Sequence, residues 1–235
     1  MTELCTKADL YKYVDKLRWI YGLPEGPINM IKICEGLSRI EVANSNFYTS
    51  GLRGMAYIAN SHYENHVILL NSNSSLQEKN YTCGHEFIHI NKHQNLGTSV
   101  FSCFEQVRSQ QDKFLEWQAN EGSAELLVPY RKLLPLIREQ LPDSPSCMEI
   151  VHLKKRLADQ FQVSDAVIHY RLESLKYEIF QYLDWDRPLE KLEILSATQQ
   201  RNRGIIVSSL NDIENEKFSE EFQAHIRSKN NKIIV

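Results

Sequence analysis

Near the start of the chain, Leu10, Val14, Leu17 and Tyr21 recur at helical spacing, which predicts an amphipathic helix over residues 8–21, ended by Gly22 and Pro24. A second helix is expected from Pro27 to about Leu37, with the proline in its first turn. The pattern then shortens. Segments 39–48, 52–60 and 66–71 carry Val, Ile, Tyr or Phe between Asn, Ser and Gly, and predict a small, mostly antiparallel sheet. Ser75-Leu76-Gln77-Glu78 is a capping box, so a helix should run from there to about Lys92. Residues 94–110 are polar around Gly97 and read as a long loop. Helices follow at 111–128, stopped by Pro129, and at about 130–140, 147–161 and 164–182.

This order of elements predicts an α+β fold: a small sheet packed on the 75–92 helix, then a mainly helical second half. A boundary is expected near Asp184-Trp185-Asp186-Arg187-Pro188. It divides the chain into a main domain, 1–183, and a C-terminal accessory segment, 184–235, with a strand-like Gly204-Ile205-Ile206-Val207 and a helical stretch near 213–228.

Composition narrows the class without naming an activity. Hydrophobic residues are 42% and charged residues 24%, enough for a core and against global disorder. The net charge of −3 argues against a phosphate-neutralising protein, so no direct nucleic-acid binding is expected. The N-terminus lacks the apolar stretch of a secretory signal, and the longest apolar run, Val67-Ile68-Leu69-Leu70, is far too short for a membrane span. The expectation is a cytoplasmic protein with no membrane contact. Cys5, Cys34, Cys83, Cys103 and Cys147 form no Cys-x-x-Cys pair, so reduced thiols are expected rather than disulfides or a cysteine-zinc knuckle.

The informative stretch is His85-Glu86-Phe87-Ile88-His89. On a helix, positions i and i+4 lie about 40° apart in rotation and about 6 Å apart along the axis, so both imidazoles can reach one ion. Zinc suits neutral imidazole nitrogen, and a glutamate beside the first histidine can take a proton from water without ligating. Shuffling a chain with this composition would produce such a motif about 0.02 times. The pattern is that of the zincins, with one zinc ion and Glu86 as general base.

A catalytic zinc needs a third protein ligand. His93 continues the series but lies about 12 Å along the helix from His85. It reads more simply as a helix-end histidine near the negative end of the dipole than as a metal ligand, and stays a candidate for contact with a ligand residue or substrate. His62 and His66 flank a strand and could contact substrate. Glu116 borders the apolar face formed by Leu115, Ala119, Gly122 and Leu126, where Ala119 and Gly122 permit close helix approach. Asn120, one turn on, can orient a ligand by hydrogen bonding. Glu121 and Glu125 point away from Glu116 and read as a solvated face. Spacing alone leaves the third ligand open.

These motifs resemble the ImmA/IrrE family of metallo-endopeptidases. Ile68-Leu69-Leu70-Asn71 precedes His85-Glu86-x-x-His89; Glu116-x-x-Ala119-Asn120 follows 27 residues after His89 and runs into Leu126-Leu127-x-Pro129. Val163-Ser164 and Arg171-Leu172 extend the likeness, which covers about residues 10–180. Gly84 stands where the family usually has Ala, and Gly122-Ser123 where it often has Phe-Ala. The resemblance implies zinc ligands His85, His89 and Glu116, with Glu86 as general base. It also implies a protein substrate: a separate, cytoplasmic helix-turn-helix repressor encoded by a prophage or mobile element. The oxyanion donor stays open among Tyr48, Tyr57, His62, His66 and Tyr81. Strand 66–71 is a candidate for pairing with an extended substrate. The competing readings are a non-catalytic binding module with a structural zinc and, with Lys154-Lys155-Arg156 as its one basic run, a DNA-binding regulator.

Overall fold

The computed structural model describes residues 5–24, 26–61 and 63–231. His62 lies outside the described residues. The fold is α+β, with ten α-helices and one four-stranded sheet among the described residues. The chain divides into two compact units.

The first unit spans Asp9–Pro129 and Gln160–Ser164. It holds α1 (Lys7–Ile20) from Asp9 onward, α2 (Met30–Glu35), β1 (Ile40–Ser45), β2 (Leu52–Tyr57), β3 (His66–Asn71), α3 (Leu76–Lys92), β4 (Val100–Phe104) and α4 (Lys113–Leu127). Helix α3 begins where the capping box places it: Ser75 Oγ accepts from Glu78 N–H, and the Glu78 carboxylate accepts from Ser75 N–H. The strand order is β1-β3-β2-β4, with β1 parallel to β3 and the other two pairings antiparallel. Leu52, Ala56, Ile68 and Leu70 alternate inward. Phe87, Ile88, Leu126 and Leu127 are buried on α3 and α4, each worth roughly 1.5–3 kcal/mol.

Two expectations change here. Residues 94–110 are not all loop, because Val100–Phe104 forms β4 and pairs with β2. Phe101 and Cys103 alternate inward, but this five-residue run lies between polar flanks that mask it. Strand β3 has a neighbour on each side, so both its edges are used and it cannot add a substrate strand. The sheet edges are β1 and β4.

The second unit contains α5 (Tyr130–Gln140), α6 (Cys147–Phe161) up to Asp159, α7 (Asp165–Ser174), α8 (Lys176–Leu183), α9 (Ala197–Asn202) and α10 (Leu210–Asn231), together with Lys7 and Ala8. The single helix expected over 164–182 breaks at Leu175. There Lys7 Nζ donates to the Ser174 carbonyl at 2.5 Å and to Glu178 Oε1 at 3.0 Å, so an ammonium occupies a carbonyl that a continuous helix would use. Gly204–Val207 is not a strand: Gly204 has φ +68°, and Ile206 is exposed. Among the described residues, no helix is long and apolar enough to cross a membrane.

Candidate metal centre

Helices α3 and α4 approach closely because their contact residues are small. A Cβ on Gly84 would lie 2.6 Å from Ser123 Oγ, and one on Gly122 would lie 3.1 Å from Ile88 Cδ1. The two departures from the family pattern, Gly84 and Gly122-Ser123, are therefore where the helices meet. On the sheet side, a Cβ on Gly54 would run into Thr82 and come within 3.5 Å of Glu86 Oε1. Glycine lets β2 lie directly over the start of the motif.

This packing brings His85, His89 and Glu116 together, all buried. His85 Nε2 is 3.1 Å from His89 Nε2, Glu116 Oε2 is 3.3 Å from His85 Nε2, and Glu116 Oε1 is 3.7 Å from His89 Nε2. Ligands about 2.0–2.1 Å from a tetrahedral ion sit roughly 3.3–3.4 Å from one another. The spacing and the two-nitrogen, one-carboxylate donor set therefore fit zinc.

The far sides of both rings are held. His85 Nδ1 is 3.0 Å from Asn120 Oδ1, and Tyr81 Oη donates to the Asn120 carbonyl at 3.1 Å. His89 Nδ1 is 2.8 Å from His93 Nδ1, and His93 Nε2 is 2.8 Å from Gln118 Oε1. Phe101 of β4 stacks on the His89 ring at 4.1 Å. Burial, with the His85 and His93 rings adding to it, pushes His89 well below the usual imidazole range, so it is neutral. Burial also pulls on His85, but the Glu116 hydrogen bond and the nearby carboxylates outweigh it and raise the ring's pKa.

Glu86 is fully buried beside this cluster. Neither carboxylate oxygen has a hydrogen-bond partner. Burial, reinforced by the Glu116 charge, pushes its pKa up to about 7, although His85 and the nearby Cys103 N–H pull it down. That N–H is not a hydrogen-bond partner of either oxygen. A solitary carboxylate poised near neutrality can take up and release a proton at physiological pH.

His66 does not join the cluster: its Nδ1 accepts from Ala59 N–H at 3.1 Å, and burial with the Arg39 charge lowers its pKa. His93 caps α3, but as a buried neutral ring rather than a cation on the helix dipole; burial lowers its pKa. Glu121 and Glu125 are buried, not solvated, because α1 covers that side of α4. Tyr11 Oη donates to Glu121 Oε1 at 2.5 Å, and Arg18 donates to the Leu126 carbonyl at 2.7 Å. Tyr48 is fully exposed and Tyr57 faces Glu64, whereas Tyr81 touches the Asn120 end of the cluster. Gln118 was not anticipated, and nothing in its spacing marks it. His93 does contact a ring of the cluster: its i+4 relation to His89 puts the two imidazoles together.

The sequence profile of the IrrE N-terminal-like domain, peptidase family M78, matches residues 40–173, from β1 to the end of α7. The chain belongs to this family. A metallopeptidase-type function follows from that membership. No curated protein matches the chain.

Proposed function

We propose that this protein is a zinc-dependent endopeptidase in which His85, His89 and Glu116 hold one zinc ion and Glu86 is the general base. The observation that carries the reading is Glu86: a fully buried carboxylate with no protein partner, beside three converging ligand atoms. A structural zinc site has no use for such a group, whose burial without compensation costs stability. When bound, zinc supplies Lewis acidity, polarising a carbonyl and making water acidic near neutral pH.

The chain's own residues supply the rest. Asn120 and His93 fix the ring planes of His85 and His89. Glu86 takes the proton from the attacking water and returns it to the departing amine, a role typically worth 10²–10⁴-fold. Of the sheet edges, β4 lies beside the cluster through Phe101 and Cys103, so an extended substrate would pair there and not on β3. The outer carbonyl of Ser102 is now held by Gln111 Nε2 at 2.6 Å, which such a substrate would displace. Following the family resemblance, the substrate we propose is a helix-turn-helix repressor of a prophage or mobile element.

The test is to co-express the protein with a panel of such repressors and look for one that is cleaved. Cleavage abolished by Glu86→Gln and by a chelator supports the reading. Zinc retained with biological function unchanged in Glu86→Gln would favour the structural-zinc module instead.

A further inference from the structure

His89 differs from His85 in what stands behind it. Behind His85 is one amide, Asn120, whose Oδ1 lies 3.0 Å from Nδ1. Behind His89 is a second imidazole and then an amide: His93 Nδ1 at 2.8 Å, and Gln118 Oε1 at 2.8 Å from His93 Nε2. His93 and Gln118 are both buried, so no solvent can substitute for either link.

We propose that Gln118 and His93 are positioning residues that fix the proton order of His89 and so leave its Nε2 bare for the metal. A carbonyl oxygen only accepts, so His93 Nε2 carries a proton and donates it to Gln118 Oε1. In a neutral ring, His93 Nδ1 is then a lone pair and accepts from His89 Nδ1–H. His89 Nε2 is left unprotonated, and this is the nitrogen 3.1 Å from His85 Nε2 and 3.7 Å from Glu116 Oε1. Turning the Gln118 amide over reverses every step: its NH₂ would donate to His93, His93 would donate to His89, and His89 Nε2 would carry the proton and be closed to a metal. The inference rests on His89 being a zinc ligand, as proposed above, and adds what makes it one.

The chain suggests its own control. Asparagine Oδ1 occupies nearly the same position relative to the backbone as histidine Nδ1. His93→Asn therefore keeps an acceptor opposite His89 Nδ1 and removes the dependence on Gln118, copying the Asn120–His85 arrangement. His93→Leu and Gln118→Leu remove the acceptor and the proton-ordering group respectively.

The experiment measures zinc affinity of the full chain by competition with a chromophoric chelator. In parallel, imidazole ¹⁵N shifts of the metal-free protein report which ring nitrogens carry protons. Expected are losses of about 10–100-fold in affinity for His93→Leu and Gln118→Leu, the usual range for outer contacts of a metal site. His93→Asn should bind within about twofold of the parent, and adding Gln118→Leu to it should change nothing further. In the parent, His93 should carry its proton on Nε2 and His89 on Nδ1.

The proposal is overturned if Gln118→Leu binds zinc like the parent, or if His93→Asn binds as weakly as His93→Leu, which would mark a packing role only. It is also overturned if His89 carries its proton on Nε2. Those results leave zinc binding by the parent and its loss in His85→Ala intact. Failure of the parent itself to bind zinc would instead overturn the metal-centre reading, and this inference with it.

Discussion

Glu86 and Glu178 are both fully buried on helices, and they are treated in opposite ways. In the second unit, Glu178 of α8 receives Lys7 Nζ at 3.0 Å and Leu195 N–H at 3.0 Å on the same oxygen. In the first unit, Glu86 of α3 receives nothing on either oxygen. Burial raises the pKa of both; a positive neighbour opposes the rise at each, Lys7 at Glu178 and His85 at Glu86, but only at Glu86 does a second carboxylate, Glu116, add to it. A buried charge with a partner is part of the structure. A buried charge without one persists only where function requires it.

Exchanging each carboxylate for its amide should separate the two roles. Glu86→Gln should lower peptide cleavage by about 10²–10⁴-fold while thermal stability holds or rises, because the substitution removes an unpaired acid. Cleavage at the parental rate would break the contrast. At the other site, Glu178→Gln or Lys7→Met removes one charge of a buried ion pair. Either should cost about 3–5 kcal/mol in urea denaturation, with zinc per folded molecule unchanged. A loss below about 1 kcal/mol would mean that the pair is not structural.

Metal removal sharpens the comparison further. Zinc at about 100 times its dissociation constant should add about 2.7 kcal/mol of stability that a chelator withdraws. His85→Ala should abolish this increment, and Lys7→Met should leave it intact. A zinc increment surviving in His85→Ala would place the ion elsewhere.

The smallest effect is in the pH dependence of the metal-free protein. The folded pKa of Glu86 is raised from 4.5 to about 7, so its protonation favours the folded state at low pH. That contribution is fully present below about 4.5 and is lost as pH rises through about 7. Measured against Glu86→Gln, the metal-free parent should lose relative stability across that window. A difference that does not vary with pH would contradict the assigned shift.

What could be read from the chain follows from the range of the interactions involved. The capping box at Ser75 and the His-x-x-x-His spacing are local: α3 starts where the box places it, and the spacing puts both histidines on one helix. Glu116 lies 27 residues beyond His89, on another helix; spacing left it one candidate among several, and the family resemblance singled it out. Three of the misreadings concern contacts imposed from a distance. Glu121 looks solvent-facing on α4 until α1 lays Tyr11 across it. Residues 100–104 look like loop until β2 offers them a ladder. The 164–182 helix looks continuous until Lys7, from the far end of the sequence, takes the Ser174 carbonyl. Gln118 meets His93 through the packing of α3 on α4, which no periodicity in either helix encodes.

The most direct test of the metal-centre assignment is X-ray diffraction from zinc-loaded crystals, recorded on both sides of the zinc absorption edge. The account predicts one anomalous peak, about 2.0–2.2 Å from His85 Nε2, His89 Nε2 and a Glu116 oxygen, with the Glu86 carboxylate outside the coordination sphere. A peak ligated by Glu86 and Cys103, or no peak among these side chains, would contradict it.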